Sequence, residues 1–170
     1  MGYTLVLGGA RSGKSDLAAR LALDSGLPVT FIATATAGDG EMAERIERHR
    51  AARPTDWNTV EAPLELASAV AAVPPGQFVV LDCLTLWVSN LLEAGTRVED
   101  CFRRAEDLSC AFTELRGVVV SNEVGLGIVP ATELGRAYRD VLGAVNTRFA
   151  EHAERALLLV AGRTVELGRL

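Results

Sequence analysis

An apolar, β-branched run from Tyr3 to Leu7 ends in Gly8-Gly9-Ala10-Arg11-Ser12-Gly13-Lys14-Ser15, and apolar residues then recur at helical spacing as Leu17, Ala18, Leu21 and Ala22. The octapeptide fits the spacing G-x-x-x-x-G-K-[ST], in which glycines let the chain curl until successive backbone N–H groups converge on one anion. Lys14 would add a compact charge at the β and γ phosphates of a nucleotide. The Ser15 hydroxyl would be placed to ligate Mg²⁺, and the helix starting there would add its positive end. A glycine-rich turn of purely structural use can share these residues, but a strand before and a helix after are the context that phosphate binding requires. The sequence thus predicts a nucleotide site built from Gly8, Gly9, Ala10, Arg11, Ser12, Gly13, Lys14 and Ser15.

The rest of the chain repeats that alternation. Short apolar runs at Val29 to Ala33, Phe78 to Leu81, Gly117 to Val120 and Leu157 to Val160 read as strands covered on both faces. Trp57 to Glu61 and Thr164 to Leu167 are weaker and read as edge strands. Helical patterns cover Ser15 to Leu23, Asp39 to Ala52, Leu64 to Ala72, Leu84 to Ala94, Val98 to Leu115 and Thr132 to His152. Strand and helix in alternation call for one α/β domain over residues 1–170, of the P-loop, RecA-like type: a mainly parallel sheet, helices on both faces, ligands at the carboxyl ends of the strands.

Composition narrows the partners. The chain has a net charge of −5, and 49% of its residues are hydrophobic. That acidity argues against nucleic-acid binding, which normally uses a basic face. The apolar runs are too short to span a bilayer, and no basic flank precedes an apolar leader, so a cytoplasmic protein acting on small molecules is expected. Cys83, Cys101 and Cys110 form no C-x-x-C pair; they read as reduced residues with a packing role, and neither a disulfide framework nor a zinc site is suggested.

Two further elements bear on chemistry. The run Phe78-Val79-Val80-Leu81 ends in Asp82, where a carboxylate could hold a metal ion, directly or through water, against the loop hydroxyl; an apolar strand ending in Asp is also a common turn signal. The segment Glu41 to Pro54 contains His49. On helix spacing, Arg45, His49 and Arg53 share a face, which would set an imidazole between guanidinium groups. A solvated amphipathic helix, Glu41 pairing with Arg45 while Met42 and Ile46 face inward, accounts for the same residues. Arginines that bind phosphate beside a neutral imidazole that attacks it is the alternative. His152, in a charge-flanked helical stretch, reads as a surface residue.

Taken together these segments resemble the bifunctional adenosylcobinamide kinase and adenosylcobinamide-phosphate guanylyltransferase family of cobalamin synthesis. The resemblance rests on the phosphate loop, Ile32-Ala33-Thr34, Arg45-Ile46 with His49-Arg50, Arg53-Pro54 with Trp57, Glu61, Asp82-Cys83-Leu84-Thr85 with Asn90-Leu91-Leu92, Ser121 to Pro130, Arg136 with Arg139-Asp140, and Gly143 with Asn146. It implies phosphorylation of adenosylcobinamide by ATP or GTP. A second step then takes GMP from GTP onto a histidine, here His49, and passes it to adenosylcobinamide phosphate. The resemblance also implies nucleotide contacts at Ala33, Thr34, Ala35, Arg50, Ala51, Ala52, Arg53, Glu61 and Asp82, with Mg²⁺ as cofactor and a homotrimer as the assembly. Glu61 could accept from the guanine N1–H and exocyclic amine. Asn122 and Glu123 are candidate substrate-site residues; without the resemblance they read as part of a glycine-rich turn. Trp57 and Trp87 read as packing anchors and not as corrin platforms.

Overall fold

The chain runs β1 (Gly2–Gly8), α1 (Lys14–Asp24), β2 (Val29–Ala33), α2 (Gly40–Ala51), β3 (Asn58–Glu61), α3 (Leu66–Ala71), β4 (Phe78–Asp82), α4 (Leu84–Glu93), α5 (Val98–Phe112), β5 (Arg116–Val120), α6 (Glu133–His152), β6 (Arg155–Val160) and β7 (Arg163–Glu166). The computed structural model describes residues 1–38, 40–51 and 53–169, with the side chains of residues 41 and 45 outside that description. The strands form one sheet in the order β3-β2-β4-β5-β1-β6-β7. Every pairing is parallel except β6 with β7. The two weakly patterned strands lie at the two edges, as their mixed composition predicts.

Successive strand residues point to opposite faces, and each face buries its own cluster. On one face Tyr3, Leu5, Ile32, Val79, Leu81 and Val119 pack against α3, α4, α5 and α6. On the other, Val6, Val29, Phe31, Val80, Val118 and Val120 pack against Ala18 and Ala22 of α1. Coverage is therefore uneven: among the described residues α2 gives none to either core. Strand β6 departs from the expectation of two covered faces, since Val160 is 59% exposed near the sheet edge. Tyr3 anchors the larger core. Its hydroxyl donates to Phe149 O at 2.6 Å, and its ring meets Phe112 and Phe149 edge-on. Trp87 is a core residue whose Nε1–H donates to Leu64 O at 3.0 Å, and Trp57 stacks on Phe31.

The predicted elements recur with shifted ends. The segment predicted helical to Leu115 leaves the helix after Phe112, where the chain turns into β5. A more consequential shift is at α2, which ends at Ala51, so Arg53 is not on the helical face shared with His49. The cause is local: Arg53 precedes Pro54, and the residue before a proline is driven out of the helical region. Residues 39 and 52 of the predicted helix, and the Glu41 to Arg45 pairing, lie outside the described residues.

At the centre of the sheet Gly117 faces Val79 in register. A Cβ added there would sit 2.5 Å from Val79 O, a backbone atom that cannot swing aside. Gly117→Ala is expected to destabilise the fold by about 1–3 kcal/mol through strain between two central strands, measured by denaturant unfolding. An unchanged midpoint would show that β4 and β5 can separate at no cost.

Candidate functional site

The carboxyl ends of β1, β2, β4 and β5 open on one side of the sheet, because these strands run parallel. The phosphate loop leaves β1 through Gly8, whose φ of 155° lies in glycine territory; a Cβ would come within 2.6 Å of Leu159 O and 2.7 Å of Ser12 Oγ. Arg11 (φ 55°) and Gly13 (φ 96°) are left-handed, which curls the loop before α1 begins at Lys14. No side chain caps the start of α1. Its first N–H groups therefore face the loop, the arrangement an anion needs. Gly9, Ala10 and Arg11 are exposed and Ser12 and Lys14 buried. The Lys14 ammonium lies inside the curl, donating to Gly9 O at 2.6 Å and to Ser12 Oγ at 3.4 Å.

Ser15, one residue on, donates to Asp82 Oδ2 at 3.2 Å. The two predicted metal ligands thus meet, although 67 residues separate them in sequence. Parallel register brings Ala33 level with Asp82 on one side and Glu61 on the other, so three predicted positions share one row at the strand ends. Thr34 serves this row indirectly. Its buried hydroxyl donates to Cys83 O at 2.7 Å and accepts from Cys83 N at 2.9 Å, while Thr34 N donates to Asp82 O at 3.2 Å. The side chain is consumed in fixing the turn that aims Asp82. Asn90 steadies the same loop, donating to Thr34 O and Pro63 O, and Ala35 follows it, half-buried.

Burial raises the Asp82 carboxyl above its ordinary range, and the Ser15 hydroxyl, His49, Arg53 and Lys14 pull it back. His49, exposed in the last turn of α2, and Arg53 beyond it therefore reach the field of the same carboxylate, although the chain no longer follows one helical face between them. Arg53 lies over the Phe31 ring, 3.7 Å from its centroid, a cation–π contact. Desolvation there lowers its pKa. Arg50 binds Glu61 Oε1 at 2.6 Å, tying α2 to the edge strand β3. Ala51 is exposed beside them, and Ala52 lies outside the described residues. Burial and the Asp82 carboxylate push the neighbouring Cys83 thiol up to about 11, so it remains protonated at neutral pH and is no rival nucleophile.

The segment after β5 closes against the loop. Glu123 N donates to Gly8 O at 3.2 Å, and Glu123 Oε1 accepts from Gly125 N at 2.6 Å. The Asn122 backbone is held by side chains from two helices: its N–H donates to Thr85 Oγ1 at 2.7 Å and its carbonyl accepts from Asn146 Nδ2 at 3.0 Å. Thr85 and Asn146 are thus positioning residues to which sequence reasoning gave no role. An asparagine beside Val145 on the buried face of α6 was the available signal, since such an amide must be paired.

Fold and loop together define a P-loop nucleotide-binding protein. Residues 4–167 match the family described as cobinamide kinase / cobinamide phosphate guanyltransferase. The chain is 49% identical over 166 residues to the bifunctional adenosylcobalamin biosynthesis protein CobP of Pseudomonas aeruginosa, covering 96% of this chain and 95% of that protein. It is 39% identical over 178 residues to the corresponding protein CobU of Escherichia coli, covering 96% and 98%. Among solved structures, an ATPase from the type III secretion system of pathogenic bacteria superposes with a TM-score of 0.59 at 10% identity, over 94% of this chain and 51% of that one. The chain spans about half the length of that ATPase, and the likeness bears on the fold alone. The protein belongs to the cobinamide kinase / cobinamide phosphate guanyltransferase family of enzymes.

With its pKa raised, the folded state holds the Asp82 proton more tightly than the unfolded chain, so stability falls as pH climbs above the ordinary aspartate value of about 3.9. Asp82→Asn in the nucleotide-free protein is therefore expected to raise the thermal midpoint at about pH 7, with the gain vanishing below about pH 4. Calorimetry at both pH values checks this; a lower midpoint at neutral pH would mean the carboxylate is net stabilising.

Proposed function

We propose that one site performs both steps of a bifunctional transferase in cobalamin nucleotide-loop assembly. Adenosylcobinamide is phosphorylated by ATP or GTP, and GMP is then transferred from GTP through His49 to adenosylcobinamide phosphate, giving adenosylcobinamide-GDP and pyrophosphate. The observation that carries the reading is the convergence of loop and helix at the strand ends: Ser15 of the phosphate loop donates to Asp82, Asp82 shares a row with Ala33 and Glu61, and Glu61 is bound by Arg50, the neighbour of His49 on α2.

In the kinase step the loop amides and Lys14 hold the β and γ phosphates while a substrate hydroxyl attacks, so the protein contributes positioning and charge stabilisation. In the second step a neutral His49 nitrogen attacks the α phosphorus of GTP. A P–N bond forms, the bond to the bridging oxygen breaks, and pyrophosphate leaves with the electron pair. A phosphate oxygen of adenosylcobinamide phosphate then displaces the imidazole, restoring the free histidine. Ser15 and Asp82 are hard oxygen donors in contact, a set that suits Mg²⁺. Bound there, Mg²⁺ would mask phosphate charge.

Glu61 is the proposed guanine acceptor, with one carboxylate oxygen steadied by Arg50. Asn122 and Glu123 are proposed to line the substrate side of the loop. The implied homotrimer is supported by an apolar stretch beside the site, where Leu126 is 85% and Ile128 97% exposed, a surface that a neighbouring subunit would cover. The acidic chain, with no helix among the described residues long and apolar enough to cross a membrane, suits a cytoplasmic enzyme.

A plain small-molecule kinase would share the phosphate loop but have no use for a nucleophilic histidine. His49→Ala is expected to lower guanylyl transfer by about 10³-fold or more while leaving phosphorylation of adenosylcobinamide within about threefold of wild type. Lys14→Ala should depress both. Coupled assays with each substrate measure this, and equal loss of both activities in His49→Ala would contradict the division of labour.

A further inference from the structure

At the opposite end of the molecule three side chains come together that the nucleotide chemistry does not use. Helices α5 and α6 both end at the amino edge of the sheet, just before β5 and β6 begin, whereas the phosphate loop leaves the carboxyl end of β1. About 20 Å of strand separates the two ends. Glu106 and Cys110, one turn apart on α5, face His152, the last residue of α6. This overturns one sequence expectation, since Cys110 is exposed and packs no core; His152, read as a surface residue, is partly exposed and joins a side-chain cluster.

The three potential ligand atoms form a nearly equilateral triangle. Cys110 Sγ lies 3.8 Å from Glu106 Oε1 and 3.7 Å from His152 Nε2, and His152 Nε2 lies 3.7 Å from Glu106 Oε1. The two thiol contacts are long, weak sulfur hydrogen bonds, and the imidazole–carboxylate separation is beyond a direct one. In a tetrahedral zinc site, bonds of about 2.0–2.3 Å put neighbouring ligand atoms about 3.3–3.6 Å apart, so closing the triangle on an ion needs movements of only a few tenths of an ångström.

The surroundings prepare each ligand. Ser109 gives its own proton to Glu106 O at 2.9 Å, which leaves its oxygen to accept from His152 Nδ1 at 3.0 Å; Arg148 O, 3.2 Å from the same nitrogen, can only accept. The ring proton is thereby fixed on Nδ1, and Nε2 presents its lone pair to the triangle, the arrangement typical of metal-ligating histidines. Arg148 Nε engages Glu106 Oε2 at 3.4 Å, leaving Oε1 for the cluster.

We propose that Glu106, Cys110 and His152 bind a borderline transition-metal ion of the Zn²⁺ class, with solvent as fourth ligand. The Cys110 proton passes to solvent on binding. The ion would clip the end of α5 to the end of α6, away from the nucleotide site.

The test uses the full-length, reduced, chelator-stripped protein in excess Mg²⁺, titrated with Co²⁺ and then Zn²⁺. Wild type should take up one equivalent of Co²⁺ with a thiolate-to-cobalt charge-transfer absorption that Zn²⁺ abolishes, and Zn²⁺ should raise its thermal midpoint. Cys110→Ser should lose the absorption and the thermal shift while retaining wild-type transferase rates, and His152→Gln should bind about tenfold or more weakly. No thiolate absorption in wild type would overturn the proposal. So would the same absorption in Cys110→Ser, which would place the ion on Cys83 or Cys101.

Discussion

The Asp82 carboxylate is set against the Ser15 hydroxyl at a position where burial disfavours its charge, and the architecture of the carboxyl edge serves to keep it there. Parallel pairing with β2 and β5 fixes where β4 ends. Thr34 clamps the next peptide from both sides, and Asn90 ties the Thr34 carbonyl to α4. A desolvated carboxylate so held is a poor resident and a good host. Cations such as Lys14, Arg53 and, when bound, a metal ion recover what burial takes away, so the site is tuned to be completed by its ligands.

The two chemistries proposed for one loop both draw on this arrangement. A γ-phosphoryl transfer asks for charge and alignment, which the loop supplies. Transfer at the α phosphorus needs a nucleophile from outside the loop, and the proposed one, His49, sits on α2, which gives no described residue to either core. The C-terminal end of the helix is tied down by the Arg50 to Glu61 pair, and the chain just beyond it by the Arg53 contact over Phe31.

Much of the fold was legible because buried parallel strands leave continuous apolar runs, and β1, β2, β4 and β5 are of this kind. The phosphate loop was legible because its spacing is local. What failed was non-local or depended on one neighbour. Pro54 ended α2 before Arg53 and broke the predicted helical face between it and His49, yet the fields of both groups still favour the charged form of Asp82. The pairing of the Thr34 hydroxyl with Cys83, a partner 49 residues away, was likewise beyond local reading. The Glu106, Cys110 and His152 cluster had no sequence signature, since two helices separated by a strand must first pack before the thiol meets the imidazole.

Whether the proposed nucleophile His49 forms a covalent nucleotidyl intermediate can be read by incubating the protein with Mg²⁺ and GTP labelled at the α phosphorus, then mapping the label after proteolysis. Acid-labile, base-stable label confined to the peptide containing His49 is expected. Label on another residue, or none despite bound GTP, would contradict the proposed role.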